Sequence, residues 1–196
     1  MATLNTTNIK HASSGSNNIV LAANGSVNIP TLTTNSSFGK ILQVVSTTKT
    51  DTSSFTSNST NTFVDLSGLS VSITPTAASS KILIQFDVSV AVGTGTVHVR
   101  LVRGSTAIAV GDSASNRLQS TVARRSQSSV YALESTPMSM SFLDSPNTTS
   151  ATTYKLQGTA GSSYNTTYYV NRSSSDTDAD YGARVASTIT ATEIAA

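Results

Sequence analysis

The sequence predicts an all-β protein: a β-sandwich or jelly-roll-like knob over residues 37–196, preceded by a short extended β segment over residues 1–36. Three observations predict it. Roughly a third of the 196 residues are Ser and Thr. Val, Ile and Leu are nonetheless plentiful, in strand-length runs that alternate with polar residues. No segment repeats its apolar residues at helical spacing. Thr and Val suit pleated strands, and Ser, Asn and Gly suit the turns between them. A disordered polar tract would lack the apolar residues for a core.

In residues 1–36, two short strands are expected around Asn24-Gly25, a favoured hairpin pair. Ile9, Ile19, Leu21, Val27 and Ile29 supply the apolar side chains of this segment and are its candidate anchor residues. A lone hairpin is marginal in water, so the segment needs a scaffold or copies of itself. Pro30 and residues 31–37 read as a linker.

Strands are then expected at 40–45, at 62–66 (broken by Gly68) and at 69–73, ended by Pro75. The strongest is 81–92, with Ile84, Phe86 and Val88 on one face. After Gly93-Thr94-Gly95, Val97, Val99 and Leu101 point inward and His98 and Arg100 outward. Residues 103–105 turn the chain into a strand at 106–110. Residues 111–128 lack a pattern and read as a long loop. Strands resume at 130–133 and 138–142, around Tyr154 and Leu156, at 164–170, and at 187–194 after a loop at 171–182. The expected core holds Ile84, Phe86, Val88, Val97, Val99, Leu101, Met140, Phe142 and Leu156.

The bulk numbers narrow the function. Only 11% of residues are charged and the net charge is +2, with Arg124-Arg125 the one tight basic pair. A nucleic-acid partner is not expected without a basic stripe. There is no Cys, so disulfides and thiolate metal sites are excluded. Apolar runs are far shorter than a membrane span and residues 1–10 are polar, so neither membrane insertion nor a secretory signal is expected. Stability without disulfides points to burial in an oligomer.

Ordered pieces spanning most of the chain resemble a family of bacteriophage and prophage virion proteins, the tail-fibre-like proteins. They are residues 39–45 (Gly-Lys-Ile-Leu-Gln-Val-Val) with Lys49-Thr50-Asp51, and residues 69–75 with Ser80-Lys81-Ile82-Leu83. Leu101-Val102-Arg103-Gly104-Ser105-Thr106 with residues 108–112, and Leu143-Asp144-Ser145-Pro146 with Thr153-Tyr154, continue the series. Ser187-Thr188-Ile189-Thr190 with Glu193-Ile194 close it, and Ile9-Lys10-His11 with Ser16-Asn17-Asn18-Ile19 is similar to a recurring fibre or anchor segment. The resemblance implies a trimeric, non-enzymatic virion appendage on the particle surface, made in the host cytoplasm. Its N-terminal segment would bind other virion proteins of tail or capsid, and its knob a host surface glycan or protein. A head fibre or capsid decoration protein is the alternative it leaves open.

Candidate chemistry is sparse. His11 and His98 are the only histidines and lie in separate segments; His98 would meet its own copies only on a threefold axis. Asp176, Asp178 and Asp180 have calcium-loop spacing, but Tyr181 stands where Gly is needed and Ser187 where the closing Glu belongs. Asp65, Asp87 and Glu134 are the candidates for a glycan-cleaving carboxylate pair, and no Gly-x-Ser-x-Gly elbow is present. No catalytic residue, metal or cofactor is therefore expected. Arg117, Arg124 and Arg125 in the long loop, and Tyr164, Tyr168 and Tyr169, suit contact with a receptor; Tyr rings on a strand equally suit a core.

Overall fold

The computed structural model describes residues 39–57, 62–126, 133–161 and 166–195, together with the backbone of 8–9, 19–21 and 27–28. The chain divides into two units, Met1–Phe38 and Gly39–Ala196. Among the described residues there is no α-helix, and both units are built from antiparallel strands.

In the first unit, β1 (Asn8–Ile9), β2 (Ile19–Leu21) and β3 (Val27–Asn28) form a three-stranded sheet. Ile9 is the register partner of Ile19, and Leu21 of Val27. A two-residue Asn24-Gly25 loop would instead pair Leu21 with Asn28; Asn24 and Gly25 themselves lie outside the described residues. Ile19 is half-buried, and Ile29 lies outside the described residues.

The second unit holds the remaining strands: β4 (Ile41–Lys49), β5 (Ser53–Ser57), β6 (Val64–Ile73), β7 (Lys81–Ala91), β8 (Gly95–Arg103), β9 (Thr106–Ile108), β10 (Val122–Ser126), β11 (Thr136–Asp144), β12 (Thr152–Ala160), β13 (Thr166–Val170) and β14 (Ser187–Ile194). One sheet has the order β10-β8-β12-β6, with β9 also on β8. The other has the order β4-β14-β7-β13-β5, with β11 on β7. Along β7, β14 pairs with residues 81–87 and β13 with residues 90–91, so the two lie end to end in one line. Beside them β4 and β5 form a second broken line, and along β8 so do β9 and β10. With these lines joined, the pairing is nested: β4/β5 with β13/β14, β6 with β12, β7 with β11, and β8 with β9/β10. That is the connectivity of a jelly roll, one long hairpin rolled into two sheets.

Both sheets face one hydrophobic core. Ile82, Ile84, Val88 and Val90 of β7 and Val97, Val99 and Leu101 of β8 are fully buried there, with Leu69, Ile73, Tyr154, Leu156 and Ile189. Alternation along β7 from Lys81 to Val88 and along β8 from Gly95 to Leu101 puts every second side chain inside, while Ser89, Ala91 and Val102 are buried on the other face as well; each buried aliphatic contributes about 1.5–3 kcal/mol.

Several expectations need correction. β10 occupies part of the expected 111–128 loop; its only fully buried side chain is Ser126, so it carries no apolar alternation. β5 was not foreseen, because Phe55 is its only apolar residue. Gly68 does not end a strand: it takes a left-handed φ of 78° and lets β6 run on through a register irregularity opposite β12. β4 extends to Lys49, and β9 stops at Ile108. Met140 is 38% exposed and not core, because β11 is an edge strand paired only with β7, while Phe142 packs partly against the core. Of the expected 130–133 strand, Leu133 is exposed and lies outside any strand, and the rest falls outside the described residues.

Two polar clusters lie at one end of the core, the first tying the two sheets together and the second fixing the connection between them. Arg103 of β8 donates through one nitrogen to both Asp144 oxygens, each at 2.9 Å, and the buried Tyr154 hydroxyl of β12 donates to the same carboxylate at 2.6 Å. Burial, then the bond to Asp144, raises the Tyr154 hydroxyl far above its usual range. Glu193 of β14 is completely buried; it accepts from the Thr76 N–H and hydroxyl at 2.7 Å each and from Gln43 at 2.6 Å. Thr76 lies on the connection between β6 and β7, which crosses from one sheet to the other.

Asn171 sits where β13 ends and the chain leaves the sheet until β14. Its side chain is fully buried and its φ is 64°. Its amide nitrogen donates to the Lys49 and Asp51 carbonyls at 2.8 and 2.9 Å, across the break between β4 and β5. Its carbonyl oxygen accepts from the Ser187 hydroxyl, and its backbone N–H donates to Ser89 of β7 at 3.0 Å. Asn tolerates the left-handed region better than most residues.

Two outcomes follow. Asn171→Ala strips the donors from two inward carbonyls and should cost about 2–4 kcal/mol, read as a lower midpoint in urea unfolding; an unchanged midpoint would refute the role given to this side chain. Burial alone pushes the Glu193 carboxyl up, but the bonds from Thr76 and Gln43 outweigh it and hold it at about 2. Between the ordinary value of 4.5 and about 2 the unfolded chain binds the proton that the folded one refuses. Stability should be fully present above pH 4.5 and fall toward pH 2, and Glu193→Gln should flatten that fall in acid titrations followed by circular dichroism.

Candidate functional site

The outer face of the β10-β8-β12-β6 sheet carries a cavity of 620 Å³, within the range of about 300–1,000 Å³ common for sites that enclose small ligands. Arg100 of β8 and Ala107 of β9 line one side, and Val110, Ser113 and residues 115–119 the other. The alternation that buries Val99 and Leu101 turns Arg100 outward. Its Nε donates to Gln157 on β12 at 2.9 Å, and its guanidinium lies 3.9 Å from the centroid of the Phe63 ring. Gln157 in turn donates to Asp65 at 2.6 Å, whose other oxygen takes Lys155 at 2.8 Å. Bonds from Lys155, then Gln157, hold the Asp65 carboxyl below its usual range.

The wall is a hydrogen-bonded loop. The Gly111 N–H donates to the Ser120 carbonyl at 3.2 Å, and the Gln119 amide returns to the Gly111 carbonyl at 2.8 Å. Thr121 docks the loop on β8, its N–H to Val99 and its hydroxyl accepting from the Leu101 N–H, both at 2.9 Å. Ala109 and Ser115 both take a φ of 52°, which costs a non-glycine residue about 1–3 kcal/mol. Arg117, Asn116, Ser113, Ser115 and Gln119 give the cavity its polar lining, and Val110 and Leu118 its apolar part. No carboxylate lines it, and among the described residues neither Arg100 nor Arg117 forms an ion pair.

The other candidates are dispersed. Arg124 and Arg125 lie on β10, not in a loop, and their side chains point to opposite faces. Arg124 pairs with Glu134 at 2.8 Å, whereas Arg125 is exposed opposite Thr96. Tyr164 lies outside the described residues. Tyr168 is buried and cannot contact a receptor: it stacks on Phe55 with centroids 5.0 Å apart, donates to the Thr96 carbonyl at 3.0 Å, and burial pushes its hydroxyl up to about 12. Tyr169 is half-buried under the Arg172 guanidinium, 3.9 Å from its ring centroid.

Asp176 takes Arg184 at 2.7 Å and Arg172 at 3.5 Å, and the Arg184 bond holds its carboxyl below the usual range. Asp176, the first acid of the calcium-like spacing, is thus engaged by two arginines. Among the described residues no cluster of acidic or histidine side chains has a metal-holding arrangement. His98 is half-buried beside the Ser120 hydroxyl at 3.1 Å, and burial lowers its pKa; His11 is outside the described residues. Asp65 and Asp87 stand on different sheets and Glu134 is paired with Arg124, so the three share no groove.

No family model matches the chain, and no curated protein is significantly similar to it.

Proposed function

We propose that the chain is a non-enzymatic bacteriophage virion structural protein, a short trimeric fibre whose knob, residues 39–196, attaches to the host-cell surface. Residues 1–38 anchor it to other virion proteins. The resemblance of its ordered sequence pieces to tail-fibre-like proteins suggests the class, and one observation carries the self-association.

At one end of the β4-β14-β7-β11 sheet the usual in–out pattern is reversed. The cross-strand row Gln43, Glu193, Ile82, Asp144 points inward and buries two carboxylates. The next row, Val44, Thr192, Leu83, Leu143, lies on the outer face, where Val44 and Leu143 are exposed, Leu83 is half-buried and Thr192 is buried between its neighbours. Val44 is 57% and Leu143 53% exposed; Ile41, paired with Ile194 across a bulge, is 61% exposed. Leu42 at the bulge is 39% exposed, and the rest of this face is Ser, Thr, Gln and Pro137, with Lys81 and Asp87 as its charges, so the face carries little net charge to repel a copy.

Its occupant in this reading is a second copy of the chain. Residues 1–38 join the knob at Gly39, where a Cβ would lie 2.6 Å from the Ile194 side chain, next to the apolar row. Copies gathered through residues 1–38 would therefore bring these rows together. Three knobs on one axis gain avidity for a repetitive surface even where each contact is weak.

The intact chain should sediment as a trimer of its 20.2 kDa protomer, and Val44→Asp with Leu143→Asp should reduce it to monomer without loss of β-sheet signal. A wild-type monomer at micromolar concentration would overturn the trimer. Reconstruction of the particle tests the rest: threefold density at the tail periphery is expected, and the same knob on capsid vertices would make the protein a head fibre or decoration protein.

A further inference from the structure

The cavity beside β8 has features that the fibre reading does not itself require. Arg100 is drawn out of water between Phe63 and Gln157, and burial lowers its pKa, yet no carboxylate answers its charge. Arg117 enters the same cavity from the opposing loop, also without an ion pair among the described residues. The nearest acid along that loop, Asp112, is exposed and does not line the cavity. The nearest carboxylate in the hydrogen-bond chain, Asp65, is already occupied by Lys155 and Gln157.

Two arginines without a carboxylate partner line one concave space, and a guanidinium suits a planar oxyanion, which its fork binds through charge-assisted bonds. The remaining polar lining is amide and hydroxyl: Asn116, Gln119 and Ser113. Those groups donate and accept at once, which suits ring hydroxyls more than a bare anion. The loop that presents them holds two residues in a strained left-handed conformation while its ends are fixed by hydrogen bonds, so the wall is preorganised.

We propose that this cavity binds an acidic saccharide, its carboxylate held between Arg100 and Arg117 and its ring hydroxyls met by the loop amides. The proposal rests on the host-attachment reading and names the class of surface sugar that the knob recognises. The same chemistry in a free anion is the competing source, and the test separates the two.

The intact protein is titrated calorimetrically with sialyllactose and with tri-galacturonate as acidic probes, with lactose and maltotriose as neutral ones, and with inorganic phosphate. Acidic probes should bind about tenfold or more tightly than neutral ones, and phosphate should displace them only at far higher concentration. Arg117→Ala, at an exposed position, should lower acidic-sugar affinity by about tenfold with an unchanged melting temperature. Arg100→Gln should do the same, and its melting temperature reports whether the Phe63 contact was also structural. Equal binding of neutral and acidic probes, phosphate displacing as well as sugar does, undiminished binding by Arg117→Ala, or no binding of either acidic probe would each overturn the proposal. Adherence of Arg117→Ala protein to host cells at wild-type level would leave attachment standing and remove this cavity as its means.

Discussion

One buried amide holds together the place where this fold is most interrupted. The line formed by β13 and β14 is cut by residues 171–186, and the neighbouring line of β4 and β5 is cut at residues 50–52. Backbone groups at both cuts would face the interior without ladder partners, and an unpaired buried carbonyl is costly. Asn171 spans the two gaps with one side chain, and its backbone holds the register to β7 at Ser89. A residue with fewer donors would leave one break open, and a β-branched residue would resist the left-handed φ.

The two sheets divide the surface into chemically different faces. The outer side of the β4-containing sheet is nearly uncharged and apolar at one end. The outer side of the β8-containing sheet carries the cavity with unpaired arginines. The buried carboxylates Asp144 and Glu193 flank Ile82 in one cross-strand row, each fixed by donors from outside its own strand. Burying acids in this way gains little net stability but penalises any slip of register, because a slipped strand would leave a charge without donors.

Much of the fold was legible because β7 and β8 alternate over most of their length, and Ile84, Phe86, Val88, Val97, Val99 and Leu101 are buried as expected. The pattern failed where strands lie at sheet edges or are nearly devoid of apolar residues. β5 and β10 are held by backbone pairing to neighbours whose identity only the tertiary fold supplies. Met140 has the parity of a core residue but sits on an edge strand, and parity does not report whether the opposite sheet reaches that far. Gly68 was read as a strand end, since a local signal does not distinguish a bulge from a stop. Of the site, the arginine-bearing loop drew notice through Arg117, but Arg100 did not. Its significance lies in the missing counter-charge, which depends on residues distant in sequence such as Gln157 and Asp65.

The nested pairing has a kinetic consequence. Every strand that hydrogen-bonds to β7, namely β11, β13 and β14, lies later in the chain. The most apolar strand thus leaves the ribosome before any of its sheet partners, at about 5–20 residues per second. The first strand of the domain waits still longer, since β4 pairs with β14 alone. Such a topology has high contact order and folds slowly, because the ends must meet before distant pairs reward the lost chain entropy. Synthesis therefore passes through a stage in which the β7 ladder is open to neighbouring nascent chains. The stability of the finished fold does nothing for the chain during that interval, because the partners that cover β7 are not yet made.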